Sequence, residues 1–383
     1  MTTRLSWCPL PSGNARLALG ALTMAMLVSQ SALPAQQVAL RTFNNWAVGC
    51  DVARACTALG TQQDDGMGAF VHLARGGGAH DSLRTTIGWY TETAAQRTLA
   101  FRVITFGPTR RSRVDTLLSV SASTRRTADS TEGDYRLLPL PHPVAQRLLG
   151  AAKTASDLVI LGATGDTIAV SSLRGLRAAL LAMDETQQRI GTVTALARPG
   201  SRSPTTIPAA PSLPTVRVVP YRGGGDNAAN ATLAARLRRR LGAQLGRDCD
   251  ADDAATFDTV EPLTTKHALV GLHCSHGAYN YWSRWYVVTD RNVQTARAAL
   301  FLDHPNAKAR KDDSYLVNGG YDASTGRFGA FSKGRGLGDC GSFSEWGWDG
   351  ARFLLIERRE YYECRGVSDD WWPVTWRASV RTR

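Results

Sequence analysis

Cysteine placement is the tightest constraint on what this chain can fold into. The 383 residues contain seven cysteines, Cys8, Cys50, Cys56, Cys249, Cys274, Cys340 and Cys364. An odd number cannot be fully bridged, and the position of the first removes the problem. Cys8 lies in a segment that carries Arg4 and Arg16 and no acid, ahead of an uncharged run of twelve residues, Leu17 to Val28. Small and polar residues follow, up to Ala35. Basic start, short apolar run and small-residue zone make residues 1–35 an expected secretory signal peptide. The run falls short of the ~20 residues a spanning helix requires, so no stable membrane span is expected after cleavage. No cysteine directly follows the run, which argues against a lipid anchor. Loss of Cys8 leaves six cysteines (7 − 1 = 6), the even count that an oxidising compartment favours.

Length then divides what remains, since domains average roughly 150 residues. Residues 199–220 hold six of the 16 prolines. Proline removes a backbone donor and biases its predecessor toward extended conformations, so this stretch is expected to be a semi-rigid linker. It separates an N-terminal β-rich domain, 40–198, from a C-terminal aromatic-rich β domain, 221–383. From Thr215 onward lie seven of ten Trp, eight of ten Tyr and six of ten Phe. Such enrichment builds either an aromatic core or an aromatic binding surface.

Apolar patterning assigns both halves to α+β, predominantly antiparallel β, each with one or two packed helices. Before the linker, residues 85–90, 99–106, 115–120, 135–140, 157–161 and 166–170 read as strands. A short helix is expected from Pro143. A second, with Ser172 as its N-cap, lines up Leu173, Leu176, Leu180 and Met183 and stops at Gly191. After the linker, Leu233, Leu237, Leu241 and Leu245 recur every four residues and set one apolar helix face, leaving Arg236 to Arg240 on solvent. The remainder is strand signal: 268–273, 282–289, 296–302, 315–317 and 328–331, then a hairpin turn at Trp348-Asp349-Gly350 leading into 353–357.

With that division, Cys50 and Cys56 pair by default. The other four allow three connectivities, of which the neighbour pairing Cys249–Cys274 and Cys340–Cys364 is favoured. Zinc-type spacing is absent, because Cys50-x5-Cys56 is too wide and no other thiols are close.

Few motifs survive inspection. The charge of +12 is spread over both halves, +6 across 36–215 (19 − 13) and +4 across 216–383 (24 − 20). There is no basic stripe, and nucleic acid is not an expected partner. His267, His273 and His276 lack a metal-site frame. Asp248, Asp250 and Asp252 begin like a calcium loop, but Asp253 occupies the sharp-turn glycine position and Thr259 the final glutamate position. Gly336-Leu337-Gly338-Asp339-Cys340-Gly341 matches a dinucleotide fingerprint only formally, because no helix pattern follows it. No metal and no cofactor are expected. One constellation retains interest: Arg335, Asp339, Glu345, Trp346, Trp348 and Asp349 combine carboxylates with aromatic rings, as sugar-binding or glycosidic sites do. Turn chemistry at Asp339 and Asp349 is the plainer reading.

These segments resemble a known family. Phe43-Asn44-Asn45-Trp46-Ala47-Val48-Gly49-Cys50-Asp51, with Cys56 following, is similar to the mature N-terminus of bacterial proteins sharing domain of unknown function 1176. Val170 to Gly175, Ala178 to Leu180, Met183-Asp184, Gln187 to Gly191 and Thr194 to Leu196 resemble its middle. Gly334 to Gly341, Trp348 to Gly350, Cys364 to Gly366 and Trp372-Pro373 resemble its C-terminal part. The first half is also distantly similar to secreted invasion-associated locus B proteins. The resemblance implies secretion into the periplasm of a Gram-negative bacterium and supplies no activity or catalytic residues.

The expected function is therefore non-enzymatic: a periplasmic protein that binds an envelope component or a partner protein through its aromatic-rich half. The alternatives are a secreted hydrolase acting on glycan or peptide through Glu345 and Asp349 or Asp339, and an enzyme inhibitor presenting a disulfide-braced loop.

Overall fold

Alternating apolar residues place most of the chain in antiparallel sheets. The computed structural model describes residues 39–62, 68–91, 101–108, 112–120, 125–126, 134–223, 227–249, 257–304, 306–310 and 312–382. The first strands are β1 (Arg41–Phe43), β2 (Trp46–Cys50), β3 (Cys56–Gly60), β4 (Ala69–Arg75) and β5 (Arg84–Thr91). Then come β6 (Phe101–Phe106), β7 (Arg113–Val120), β8 (Arg125–Arg126), β9 (Asp134–Pro139) and α1 (His142–Ala151). β10 (Asp157–Gly162), β11 (Thr167–Ser172) and α2 (Leu176–Thr186) complete the N-terminal half. A seven-stranded sheet runs β1-β2-β3-β4-β5-β9-β8, and a four-stranded sheet runs β11-β10-β6-β7. Trp46, Trp89, Leu148, Leu158, Leu176 and Met183 meet in one buried core between these sheets and the two helices.

Leu173, Leu176, Leu180 and Met183 are all buried, as their spacing requires. The start of α2 differs from expectation. Ser172 ends β11 and turns its hydroxyl to the Arg174 N–H, while Gly175, at φ 100°, occupies the N-cap. A side chain there would meet the Phe43 carbonyl, because a Cβ would lie 1.9 Å from that oxygen. The helix also ends before Gly191. Gln187 turns inward to donate to the Arg54, Arg75 and Gly76 carbonyls, each at 3.0 Å.

That inward turn belongs to a buried polar network. Asp184 Oδ1 accepts from Arg75 at 2.6 Å, and Oδ2 accepts the Leu196 and Ala197 N–H groups at 2.7 and 2.8 Å. Arg75 also donates to Gln187 Oε1, and Arg189 donates to the Ala79 carbonyl and the Thr194 hydroxyl. The network ties the 187–202 segment to the end of β4, beside the packing of Leu196 and Ala197 against the core.

Proline-rich residues 199–214 carry a short 3-10 turn at Pro204–Thr206, N-capped by Ser203. Next come β12 (Thr215–Val218), α3 (Asn227–Arg240), α4 (Gly242–Asp248), β13 (Thr259–Pro262), β14 (His267–His276) and β15 (Tyr281–Thr289). They are followed by β16 (Asn292–Ala298), β17 (Phe301–Leu302), β18 (Tyr315–Val317), β19 (Gly320–Asp322) and β20 (Arg327–Lys333). β21 (Gly341–Trp348), β22 (Phe353–Tyr361), β23 (Val374–Arg377) and β24 (Ser379–Thr382) close the chain. One sheet runs β13-β14-β15-β16 with β18 also on β15; another runs β17-β22-β21-β20-β19 with β23 also on β22; and β12 pairs with β24 in parallel. Leu233, Leu237 and Leu245 pack α3 and α4 onto β14 and β15. Most of the aromatic excess is core: Trp285, Phe301, Phe328, Trp346, Trp348, Phe353 and Trp376 are all buried in one cluster.

The three disulfides are Cys50–Cys56, Cys249–Cys274 and Cys340–Cys364. Residues from the two ends of the chain touch directly. Arg377 binds Asp51 at 2.6 Å, the Tyr361 and Thr61 hydroxyls stand 2.9 Å apart, and the Val374 N–H donates to the Thr57 hydroxyl. Gly49 permits this approach, since a Cβ there would fall 2.7 Å from the Val374 carbonyl oxygen.

Candidate functional site

The carboxylates singled out from the sequence do not converge. Asp349 Oδ1 accepts the Ala351 and Arg352 N–H groups at 2.9 Å, closing the β21–β22 hairpin. Asp339 is buried and accepts both arms of Arg335 and the Gly366 N–H, which ties the glycine-rich loop to the Cys364 segment. Burial raises the Asp339 pKa, but the Arg335 and Gly366 hydrogen bonds outweigh it and hold the carboxyl below its ordinary range. Glu345 pairs with Arg327 at 2.6 Å. Asp339 and Asp349 flank opposite ends of β21, roughly 25 Å apart at ~3.3 Å per residue. A glycosidase pair needs about 5–9.5 Å. Trp348 is fully buried, and Trp346 reaches a cleft.

The glycine-rich run leads into β21 rather than a helix. His273 and His276 approach ring to ring, with Nε2 3.3 Å from Nδ1, while His267 engages Thr264 instead. Among the described residues no three His, Cys, Asp or Glu side chains are placed to hold a metal ion. Asp250 and Asp252 lie outside the described residues.

The cleft that Trp346 reaches encloses about 350 Å³ over one face of the β20–β21–β22 sheet. Strand register builds its floor in three rows. Trp346, paired with the buried Phe328 and Leu355, marks the apolar end, Ala330, Ser344 and Arg358 form the next row, and Ser332, Ser342 and Glu360 the last. Residues two apart on a strand share a face, so the surface grades from aromatic to polar along the strands. Trp282, Phe301, Asp303, Arg310, Asp313 and Tyr315 form the facing wall.

Both arginines are committed. Arg358 donates to the Ser344 hydroxyl at 3.1 Å and to Asp303 at 2.8 Å, and Arg310 donates to Asp313 at 3.1 Å. The hydrogen bond donated to Asp313, then the charges of Asp313 and Asp303, raise the Arg310 pKa further. Glu360 differs. Among the described residues its oxygens accept only from neutral hydroxyls, Thr375 at 2.7 Å and Tyr362 at 3.0 Å. Burial, followed by the Glu360 charge, pushes the Tyr362 phenol up to about 12. The Ser332 and Ser342 hydroxyls make no hydrogen bond among the described residues. Trp346, 5% exposed, leaves its indole N–H unpartnered.

A second groove, of about 520 Å³, lies by Asn44, Lys153, Arg174 and Arg177 at the start of α2. Its three cations are exposed, whereas the sheet-face cleft has buried polar lining in Ser344 and Asp313. The sheet-face cleft is the better-formed site. Sequence reasoning found Trp346 there and missed Ser332, Ser342, Arg358 and Glu360. The available signal was alternation: Ser342-x-Ser344-x-Trp346 and Arg358-x-Glu360 place like-facing polar residues beside an aromatic.

The chain is 26% identical over 374 residues to the uncharacterized protein YpfG of Escherichia coli (strain K12), covering 90% of this chain and 93% of the relative. Among solved structures, invasion associated protein B from Bartonella henselae is similar at 11% identity with a TM-score of 0.26, over 39% of this chain and 99% of that one. The model of a family described as protein of unknown function (DUF1176) matches residues 40–379, and this chain belongs to that family.

Proposed function

We propose that this is a periplasmic, non-catalytic protein that binds an envelope component in the cleft over the β20–β21–β22 face. The carrying observation is the polar row Ser332, Ser342 and Glu360 on the same face as Trp346, with serine hydroxyls that no described residue engages. Hydroxyls and a carboxylate inside a recess bind by replacing water, and aromatic walls supply contact area at small entropic cost. An extracytoplasmic setting is supported by the three disulfides. The N-terminal segment supports export.

The test is thermal unfolding of the full chain, expressed with its N-terminal segment, in the presence of fractionated envelope extract. A parallel variant, Ser342→Trp, fills the cleft. At least one fraction should raise the Tm of the wild-type chain and leave the variant unmoved. Equal shifts in both proteins, or none in either, would overturn the cleft as the binding site.

A further inference from the structure

We infer that the ligand of this cleft is a saccharide carrying a free amino group, an inference that rests on the cleft reading above. Charge balance is the first argument. Arg310 and Arg358 both face the cleft, and both are already held by Asp303 and Asp313. Their charge is thus already offset by carboxylates before any ligand arrives. Glu360 has no cation within ion-pair distance among the described residues, and its two recorded partners are hydroxyls. A half-buried carboxylate satisfied only by neutral donors repels anions and gains most from an ammonium group. An ionised carboxylate accepts about four hydrogen bonds, so two neutral partners leave capacity for a ligand.

Geometry is the second argument. Ser332, Ser342 and Glu360 sit on adjacent strands at directly paired positions, a row with ~4.8 Å between members. The Ser332 and Ser342 hydroxyls each donate and accept, which suits the hydroxyls of a sugar ring lying along the row. Trp346 and Phe301 lie at the apolar end, where the less polar side of such a ring would rest. A bound peptide would instead seek a free strand edge. β21 is flanked by β20 and β22, β20 also by β19, and β22 also by β17 and β23, so the cleft offers a face rather than an edge.

The experiment is isothermal titration of the full chain with glucosamine tetramer, N-acetylglucosamine tetramer and galacturonate tetramer at pH 6.5. The glucosamine oligomer should bind, and Glu360→Gln should weaken it about tenfold, the effect of losing one charge-assisted hydrogen bond. The same variant should leave any weaker affinity for the N-acetylated oligomer unchanged, which separates loss of charge from loss of fold. Ser332→Ala should weaken both amino and N-acetyl oligomers alike. Galacturonate should not bind. Binding of galacturonate as tightly as glucosamine, or indifference of glucosamine to Glu360→Gln, overturns the assignment. If no sugar binds while envelope extract still stabilises wild type but not Ser342→Trp, this inference fails and the cleft reading stands. If neither effect is seen, both fail.

Discussion

Asp184→Asn should be far more damaging than its small change in shape suggests. Asp184 is fully buried and Arg75 nearly so, with side-chain exposures of 0% and 2%. The two carboxylate oxygens are specialised: Oδ2 takes two backbone N–H groups and Oδ1 takes the guanidinium. An asparagine can keep its oxygen for Leu196 and Ala197, but its NH2 must then face an Arg75 donor. Two donors would oppose each other, and a buried cation would lose its counter-charge. Removing one partner of a buried ion pair costs about 3–5 kcal/mol, a large fraction of the stability of an ordinary domain. Burial already lowers the Arg75 pKa, against the hydrogen bond and charge of Asp184, so the loss falls on a group with no reserve. Urea unfolding of the full chain, followed by tryptophan fluorescence, measures the cost. Arg75→Met in the Asp184→Asn background should recover part of it, because the Arg75 cation that lost its partner is then gone. The double variant should be more stable than the sum of the singles by about 2 kcal/mol. Additive losses, or a cost below about 1 kcal/mol for Asp184→Asn, would refute the account.

Gly49→Ala should destabilise the chain by about 1–3 kcal/mol in the same assay, because the new Cβ meets a backbone oxygen that no rotamer change can move; a neutral result would show that the Val374 segment is free to retreat. His72 should make stability pH-dependent. Burial, then the Arg84 charge, lowers its pKa from 6.5 to about 4, and its ring packs edge-on against Trp371 at 5.3 Å. Between those values the unfolded chain binds the extra proton, so stability present above pH 6.5 is lost as pH falls toward 4. The shift corresponds to about 3 kcal/mol at most, and the partial exposure of the side chain reduces it to about 2 kcal/mol. Urea midpoints at pH 7.5 and pH 4 should therefore differ less in His72→Gln than in wild type. Identical pH dependence would count against a neutral native His72.

Local patterning made much of the fold legible. Strand alternation and the leucine spacing of 233 to 245 depend on the two periodicities of the backbone, so β14, β15 and the apolar face of α3–α4 could be read directly. Turn chemistry was similarly local: Asp349 binds the N–H groups two and three residues on, wherever the hairpin sits. The start of α2 was misplaced because Ser172 is a good cap in isolation, but β11 extends through it and the Phe43 carbonyl demands a glycine at 175. Residues 184–197, read as the end of a helix stopping at Gly191 and the chain beyond it, hid a buried network, since hydrogen bonds across more than a hundred residues leave no periodic trace.

The candidate site divides the same way. Sequence alone established an aromatic-rich, disulfide-stapled β chain and marked Trp346, because composition and spacing are properties of neighbours. Only the tertiary structure decided that Asp339 and Asp349 are consumed by turns and that Glu360 stands beside Ser342 and Ser332. Those three residues are brought into one row by strand register, which the apolar pattern of the whole strands and their turns set, so nothing local to Ser332, Ser342 or Glu360 announces the row.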